Sequence, residues 1–120
     1  MDKYKLGDME QKFSDLIWEH EPLSSRELTA LCAEHFAWKR TTTYTMLKRL
    51  CDRGIFNNTD GKVSAVLSKS EFGVGRGEQL LEESFNGSLP QFLSAFAKLK
   101  KLSPKEIEEI QNLIADHKED

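Results

Sequence analysis

Two cysteines, three prolines and no long unbroken apolar run mark this 120-residue chain more by absence than by content. A helix that crosses a bilayer needs roughly 20 consecutive, predominantly apolar residues. Hydrophobic residues make up 38% of this chain, but charged residues recur among them, so no membrane insertion is expected. The N-terminal MDKYKLGDMEQ lacks the apolar centre of a secretion signal, and the expected location is the cytoplasm. Cys32 and Cys51 lie among apolar neighbours in helical patterns, which predicts reduced, buried thiols rather than a disulfide. His20, His35 and His117 share no close spacing with the cysteines or with each other, so neither a metal site nor a cofactor is expected. Catalytic signatures are equally scarce. Glu82 and Glu83 are adjacent on a helix and diverge, and no histidine has a nearby cysteine or serine in a nucleophile motif. The GxGxG of FGVGRGEQ lacks the preceding strand and the spacing of a nucleotide-binding loop. The chain is not expected to be an enzyme.

The net charge of −3 would suit a nucleic-acid binder poorly if it were spread evenly. It is not. Residues 1–36 hold four basic and eight acidic side chains, residues 37–69 seven and two, and residues 70–120 six and ten. The middle third alone is strongly basic, and a local basic surface rather than the total is what a polyanion meets.

The hydrophobic period predicts mostly helix. Met9, Phe13, Leu16 and Ile17 form the stripe of a first helix, which stops at Glu21-Pro22 because proline disfavours helix in the residue before it. Ser24 with Glu27 reads as a capping box, followed by Leu28, Leu31, Cys32 and Phe36 on one face of a second helix. The third helix is WKRTTTYTMLKRLCDRG, residues 38–54, with Thr43, Met46, Leu47, Leu50 and Cys51 on its inner side and Gly54 as its stop. The period then changes to two in IFNNTDGKVSAVLS, where Asp60-Gly61 is a strong hairpin signal. Three helices and a hairpin make a winged helix-turn-helix, over residues 1–70. In that arrangement the third helix enters the DNA major groove and the hairpin is the wing.

At about 100° per residue, Thr41, Thr45, Lys48 and Asp52 point farthest from the core side of the third helix, flanked by Thr42, Tyr44 and Arg49. Threonines are mediocre helix formers, and so many at a helix start suit a surface that touches base edges and phosphates. Lys39, Arg40, Lys48, Arg49 and Arg53 supply positive charge, and Lys62 adds one on the wing. The competing readings are a plain solvated face and a winged helix that binds protein instead of DNA. Position decides for DNA: this face belongs to the third helix before a wing, in the only basic third of the chain.

Residues 71–120 predict a helical dimerisation arm. FNGS at 85–88 ends one helix, Ser88 caps the next, and SPKE at 103–106 opens the last with a capping box. Leu81, Phe85, Leu89, Phe92, Phe96, Ile107, Ile110 and Ile114 form apolar stripes that short helices cannot bury alone. A two-fold homodimer would cover them and present two reading heads; folding back on the wing domain is the alternative. Gly73, Gly75 and Gly77 are expected at the joint between head and arm.

With its first helix ending in LIW, the WKRTTTYTMLKRLCDRG helix, the FNGSLPQFLSAF turn and helix, and the closing LSPKEIEEIQNLI, the chain resembles the penicillinase repressor family from about Leu6 to His117. The resemblance implies a mainly α fold with a small β-hairpin wing, and a homodimer that sits on a palindromic double-stranded DNA operator and blocks transcription. The DNA-binding residues expected are Lys39, Arg40, Thr41, Thr42, Tyr44, Thr45, Lys48, Arg49 and Lys62, and the resemblance implies basic and hydroxyl residues at the start of the third helix, where this chain has Thr41, Thr42, Tyr44 and Thr45. Thr41 and Tyr44 stand where a lysine and an arginine are common in the β-lactamase repressors, which implies a different operator. In antibiotic-responsive relatives a membrane-bound sensor protease initiates inactivation, and the matching bond here is Ala95-Phe96, with alanine where those relatives have asparagine. The chain also lacks the cysteine-rich C-terminal motif of copper-sensing members, ending in DHKED, and its wing is shorter than usual.

Overall fold

A computed structural model of the chain describes residues 3–119. The elements run α1 (Asp8–His20), β1 (Leu23–Ser24), α2 (Ser25–Phe36), α3 (Arg40–Asp52), β2 (Phe56–Thr59), β3 (Lys62–Ala65), α4 (Lys69–Phe85), α5 (Leu89–Lys100) and α6 (Pro104–Glu119). They form two compact units, divided between residues 79 and 80 within α4.

In the first unit, local chemistry sets most of the element ends. Ser24 Oγ accepts from the Glu27 N–H and Glu27 Oε1 accepts from the Ser24 N–H, closing the predicted capping box at the start of α2. At the end of α3, Gly54 adopts φ +81°, its N–H donates to the Cys51 carbonyl, and the Ile55 N–H reaches back to the Leu50 carbonyl. That pair of bonds is a Schellman motif, which needs a left-handed residue at the glycine. Asp60 at φ 52° and Gly61 at φ 80° make the tight turn between β2 and β3, both positive as a two-residue type I′ hairpin requires. The sheet order is β1-β3-β2, all antiparallel, with Asn58 opposite Val63 and Leu23 on the other flank of Val63. β1 was not expected; a two-residue strand shows no period, and Ser24 serves at once as strand partner and helix cap. The Glu21 carboxylate accepts from the Ala65 N–H at 2.9 Å and ties the end of α1 to β3.

Phe13, Leu16 and Ile17 of α1, Leu28 and Cys32 of α2, Leu47 and Leu50 of α3, then Ile55, Phe56, Val63 and Phe72 form one buried core. Trp18 covers one end, its ring against Phe56 and Phe72 and its indole N–H donating to the Leu67 carbonyl at 3.0 Å. Trp38 covers another, stacked on Phe13 and tilted against Phe36. Burying a side chain such as Phe72 contributes about 1.5–3 kcal/mol, which explains how α4 forms despite its glycines. Gly73, Gly75 and Gly77 lie inside this continuous helix, so the stretch expected to join head and arm is helical. Gly75 leaves room for the Tyr4 ring, on which an added Cβ would fall.

In the second unit α4 ends as predicted, with Asn86 and Gly87 at positive φ and the Gly87 N–H donating to the Leu81 carbonyl. Ser88 Oγ caps α5 through the Gln91 N–H, and Ser103 and Glu106 form the capping box of α6. Phe85, Phe92 and Phe96 form an aromatic row, with successive ring centroids 5.4 and 5.8 Å apart. Leu89, Phe96, Leu99, Ile107, Leu113 and Ile114 are exposed.

Candidate nucleic-acid interface

The first unit offers one surface that differs from the rest: the outer side of α3 with the neighbouring start of α2 and the wing. Its orientation follows from Thr43, which is 1% exposed and turned to the core with Leu47 and Leu50. A 3.6-residue repeat then leaves Thr41, Thr42, Thr45, Lys48 and Arg49 exposed, as the helical projection predicts. Thr41, Thr42, Thr45, Met46 and Arg49 line a shallow groove along the helix. Thr45 Oγ1 donates to the Thr41 carbonyl at 2.8 Å, so its hydroxyl proton is occupied while its lone pairs and methyl stay open.

The start of α3 is electrostatically unlike the other helix starts. Glu10 accepts from the Gly7 N–H at α1, serines cap α2, α4 and α5, and Ser103 with Glu106 caps α6. At α3 the N-cap is Lys39, which makes no side-chain cap, and the first turn carries no acid. The unpaired N–H groups there add their partial positive charge to Lys39 and Arg40. Among the described residues, Lys39, Arg40 and Lys62 make no ion pair.

The remaining cations divide by partner. Lys48 pairs with Asp52 at 3.2 Å, but both side chains are largely exposed and such a pair contributes little. Arg49 lies 3.9 Å from Glu10 and is half exposed. Arg53 is different: its side chain is 10% exposed, bonded to Glu10 at 3.4 Å and to the carbonyls of Lys3 and Lys5 at 3.0 and 2.7 Å. It fastens α3 to α1 and the N-terminal segment, and the expectation that it attracts DNA fails on that geometry. These partners lie more than forty residues away in sequence, so no local signal marks them.

Tyr44 is half-buried rather than outward. Its phenol donates to Ser25 Oγ on α2 at 3.1 Å, and the Arg40 guanidinium lies over its ring, 5.4 Å from the centroid. The Ser25 hydrogen bond, assisted by Arg40 and Thr29 against partial desolvation, lowers the Tyr44 pKa from its ordinary value. Ser25, Arg26 and Thr29 line a groove with Arg40 and Tyr44, and none of the three was picked out from the sequence. On the opposite side, Tyr44 and Lys48 face Asn57 and Asn58 of the wing, another pair missed for want of charge. Lys62 is exposed next to the wing turn. Burial raises the pKa of both Cys32 and Cys51, which makes them poor thiolates. No group of three or more His, Cys, Asp or Glu that could hold a metal occurs among the described residues.

An exposed hydroxyl-rich third helix, an uncapped basic start and a wing are the parts of a winged-helix DNA reader. The sequence pattern of the penicillinase repressors matches residues 6–116. The chain belongs to the penicillinase repressor family. It is 25% identical over 118 residues to the penicillinase repressor of Bacillus licheniformis, covering 95% of this chain and 92% of that one. Penicillinase repressors are DNA-binding transcriptional regulators and not enzymes. No helix among the described residues of this family member is long and apolar enough to cross a membrane.

Proposed function

We propose that the chain acts in the cytoplasm as a homodimer that occludes a palindromic operator, each copy placing α3 in a major groove. The observation that carries this reading is the split along α3, with Thr43 buried while Thr41, Thr42 and Thr45 stand exposed beside the uncapped, cationic helix start. Lys39, Arg40, Lys48, Arg49 and Lys62 of the wing neutralise phosphates, and Thr41, Thr42 and Thr45 meet base edges. Because the Thr45 proton is held by the Thr41 carbonyl, Thr45 meets a base as an acceptor for the amino group of adenine or cytosine, or through its methyl on thymine.

The dimer is formed by the second unit. Leu89, Phe96, Ile107 and Ile114 are exposed, and Leu81, Phe85, Phe92 and Ile110 are half-buried beside them. A partner copy removes that apolar surface from water. Repression ends when the dimer weakens. Cleavage between Ala95 and Phe96 by a membrane-bound sensor protease would do this, because that bond lies inside α5 and its loss detaches α6.

Selection of duplexes from a random-sequence pool, followed by titration of the enriched duplex and a scrambled one, tests the reading. The wild type should enrich a two-fold symmetric sequence, and Thr45→Ala should lose preference at one position per half-site while binding the scrambled duplex unchanged. A winged helix that binds protein would enrich nothing and show only salt-sensitive retention. Equal losses on both duplexes for Thr45→Ala would remove it from base reading.

A further inference from the structure

Tyr44 sits where the surface of α3 meets α2, and its two partners point to a task other than reading bases. Its phenol proton is given to Ser25 Oγ at 3.1 Å, which leaves the Ser25 hydroxyl proton free to be donated onward. Arg40 rests over the same ring at 5.4 Å, a cation–π position that limits where its guanidinium can travel. Ser25 is itself fixed, since its N–H donates to the Gly61 carbonyl at 2.7 Å and its carbonyl accepts from Thr29 Oγ1 at 2.9 Å. Arg26 and Arg40, both exposed, lie along one groove with Ser25, Thr29 and Tyr44, and no carboxylate lines it. Two guanidinium groups, a donating hydroxyl and no acid are the chemistry that holds a phosphodiester oxygen.

We infer that this groove between α2 and the start of α3 seats one backbone phosphate of the bound duplex, that Arg26 is a further DNA contact, and that Tyr44 is a positioning residue. Tyr44 holds Arg40 and Ser25 toward the phosphate. The inference rests on the DNA-binding reading above and assigns a specific contact within it. A chain of hydroxyls, Tyr44 to Ser25 to phosphate, is cooperative, so losing its first member weakens its last.

The test uses the full-length protein, with the duplex that the wild type enriches and a scrambled duplex, titrated across 50–300 mM KCl. Arg26→Gln should weaken binding to both duplexes by the same factor and reduce the slope of log affinity against log salt by about 0.9 for each subunit bound. Arg26→Lys should restore the slope. Tyr44→Phe keeps the ring under Arg40 and removes only the tie to Ser25. It should weaken both duplexes by about 2- to 10-fold per subunit, with the enriched sequence unchanged. Circular dichroism melts of each variant should match the wild type for Arg26→Gln, which alters an exposed side chain.

An unchanged salt slope for Arg26→Gln overturns the inference while leaving the DNA-binding reading intact. A changed enriched sequence for Tyr44→Phe also overturns it, because Tyr44 would then be reading bases. If the wild type binds no duplex, both readings fall together. A final arm titrates inorganic phosphate alone. If phosphate stabilises the wild type but not Arg26→Gln while DNA binding is equal for the two, the groove serves a free anion and the inference is overturned.

Discussion

Replacing the glycines of α4 one at a time should give opposite outcomes at alternate positions. Gly73, Gly75 and Gly77 all sit inside the helix, where a glycine costs about 0.5–1 kcal/mol relative to alanine because it loses more backbone freedom on folding. A methyl group added at Gly73 or Gly77 meets nothing within 4 Å. Gly73→Ala and Gly77→Ala should therefore each stabilise the protein by about 0.5–1 kcal/mol, and the pair by about 1–2 kcal/mol. At Gly75 the added methyl falls on the ring of Tyr4, which packs against Phe72 at 5.4 Å. The ring cannot swing away without giving up that contact. Overpacking of this kind costs about 1–3 kcal/mol, which exceeds the helix gain, so Gly75→Ala should destabilise on balance by roughly 1 kcal/mol. Urea unfolding followed by circular dichroism, at one fixed protein concentration so that any self-association acts alike on every variant, measures all three.

A double-mutant cycle isolates the cause. In a Tyr4→Ala background the obstruction is gone, and Gly75→Ala should become stabilising by about 0.5–1 kcal/mol like its neighbours, a coupling of about 2 kcal/mol between two residues seventy-one positions apart. If Gly75→Ala stabilises the otherwise unchanged chain as much as Gly73→Ala does, Tyr4 does not occupy that space and the reasoning fails.

The other expectations concern DNA, assembly and backbone strain. Arg49→Ala should reduce the salt slope of a bound dimer by about 1.8, so that its deficit against the wild type shrinks roughly twelvefold between 50 and 200 mM salt, read by fluorescence anisotropy; an unchanged slope would take Arg49 off the phosphates. The fold should survive this change, since Glu10 keeps Arg53. Phe96→Asp places a charge on the exposed apolar face of α5 and should give monomers in sedimentation, with operator affinity down roughly a hundredfold or more through lost bivalency; a surviving dimer would refute that interface. Ala37 ends α2 at φ 56°, a left-handed conformation that costs a residue with a side chain about 1 kcal/mol or more, so Ala37→Gly should raise stability by about 0.5–1 kcal/mol in the same urea assay.

What was legible in the sequence was chemistry that acts within a few residues. The capping boxes at Ser24 and Ser103, the stop at Gly54, the turn at Asp60-Gly61 and the buried side of α3 all depend on neighbours three or four positions away, and the structure has them where they were expected. The errors have distant causes. The low helix propensity of the α4 glycines was visible, whereas the anchoring of Phe72 in the core, which holds that stretch in helix, was not. Arg53 read as a surface cation because Glu10 and the carbonyls of Lys3 and Lys5 come from the other end of the unit. Tyr44 was placed on the right face of the helix, but its partner Ser25 is nineteen residues away and turns the phenol sideways.

These long-range contacts also resolve how a chain with net charge −3 presents a surface to a polyanion. Arg53 is spent on Glu10 and on carbonyls, while Lys48 and Arg49 have a carboxylate nearby in weak, exposed pairs, so the C-terminal half of α3 carries less net positive charge than its start. Lys39 and Arg40 at the other end keep theirs, and the open N–H groups of the first turn reinforce them. The field is therefore strongest where Thr41, Thr42 and Thr45 stand and fades along the helix. In the proposed complex this charge draws a phosphate backbone to the threonine end, which would orient α3 in the groove before any base is read. Residues 1–36 and 70–120 each carry four more acidic than basic side chains and so add no net attraction for a duplex.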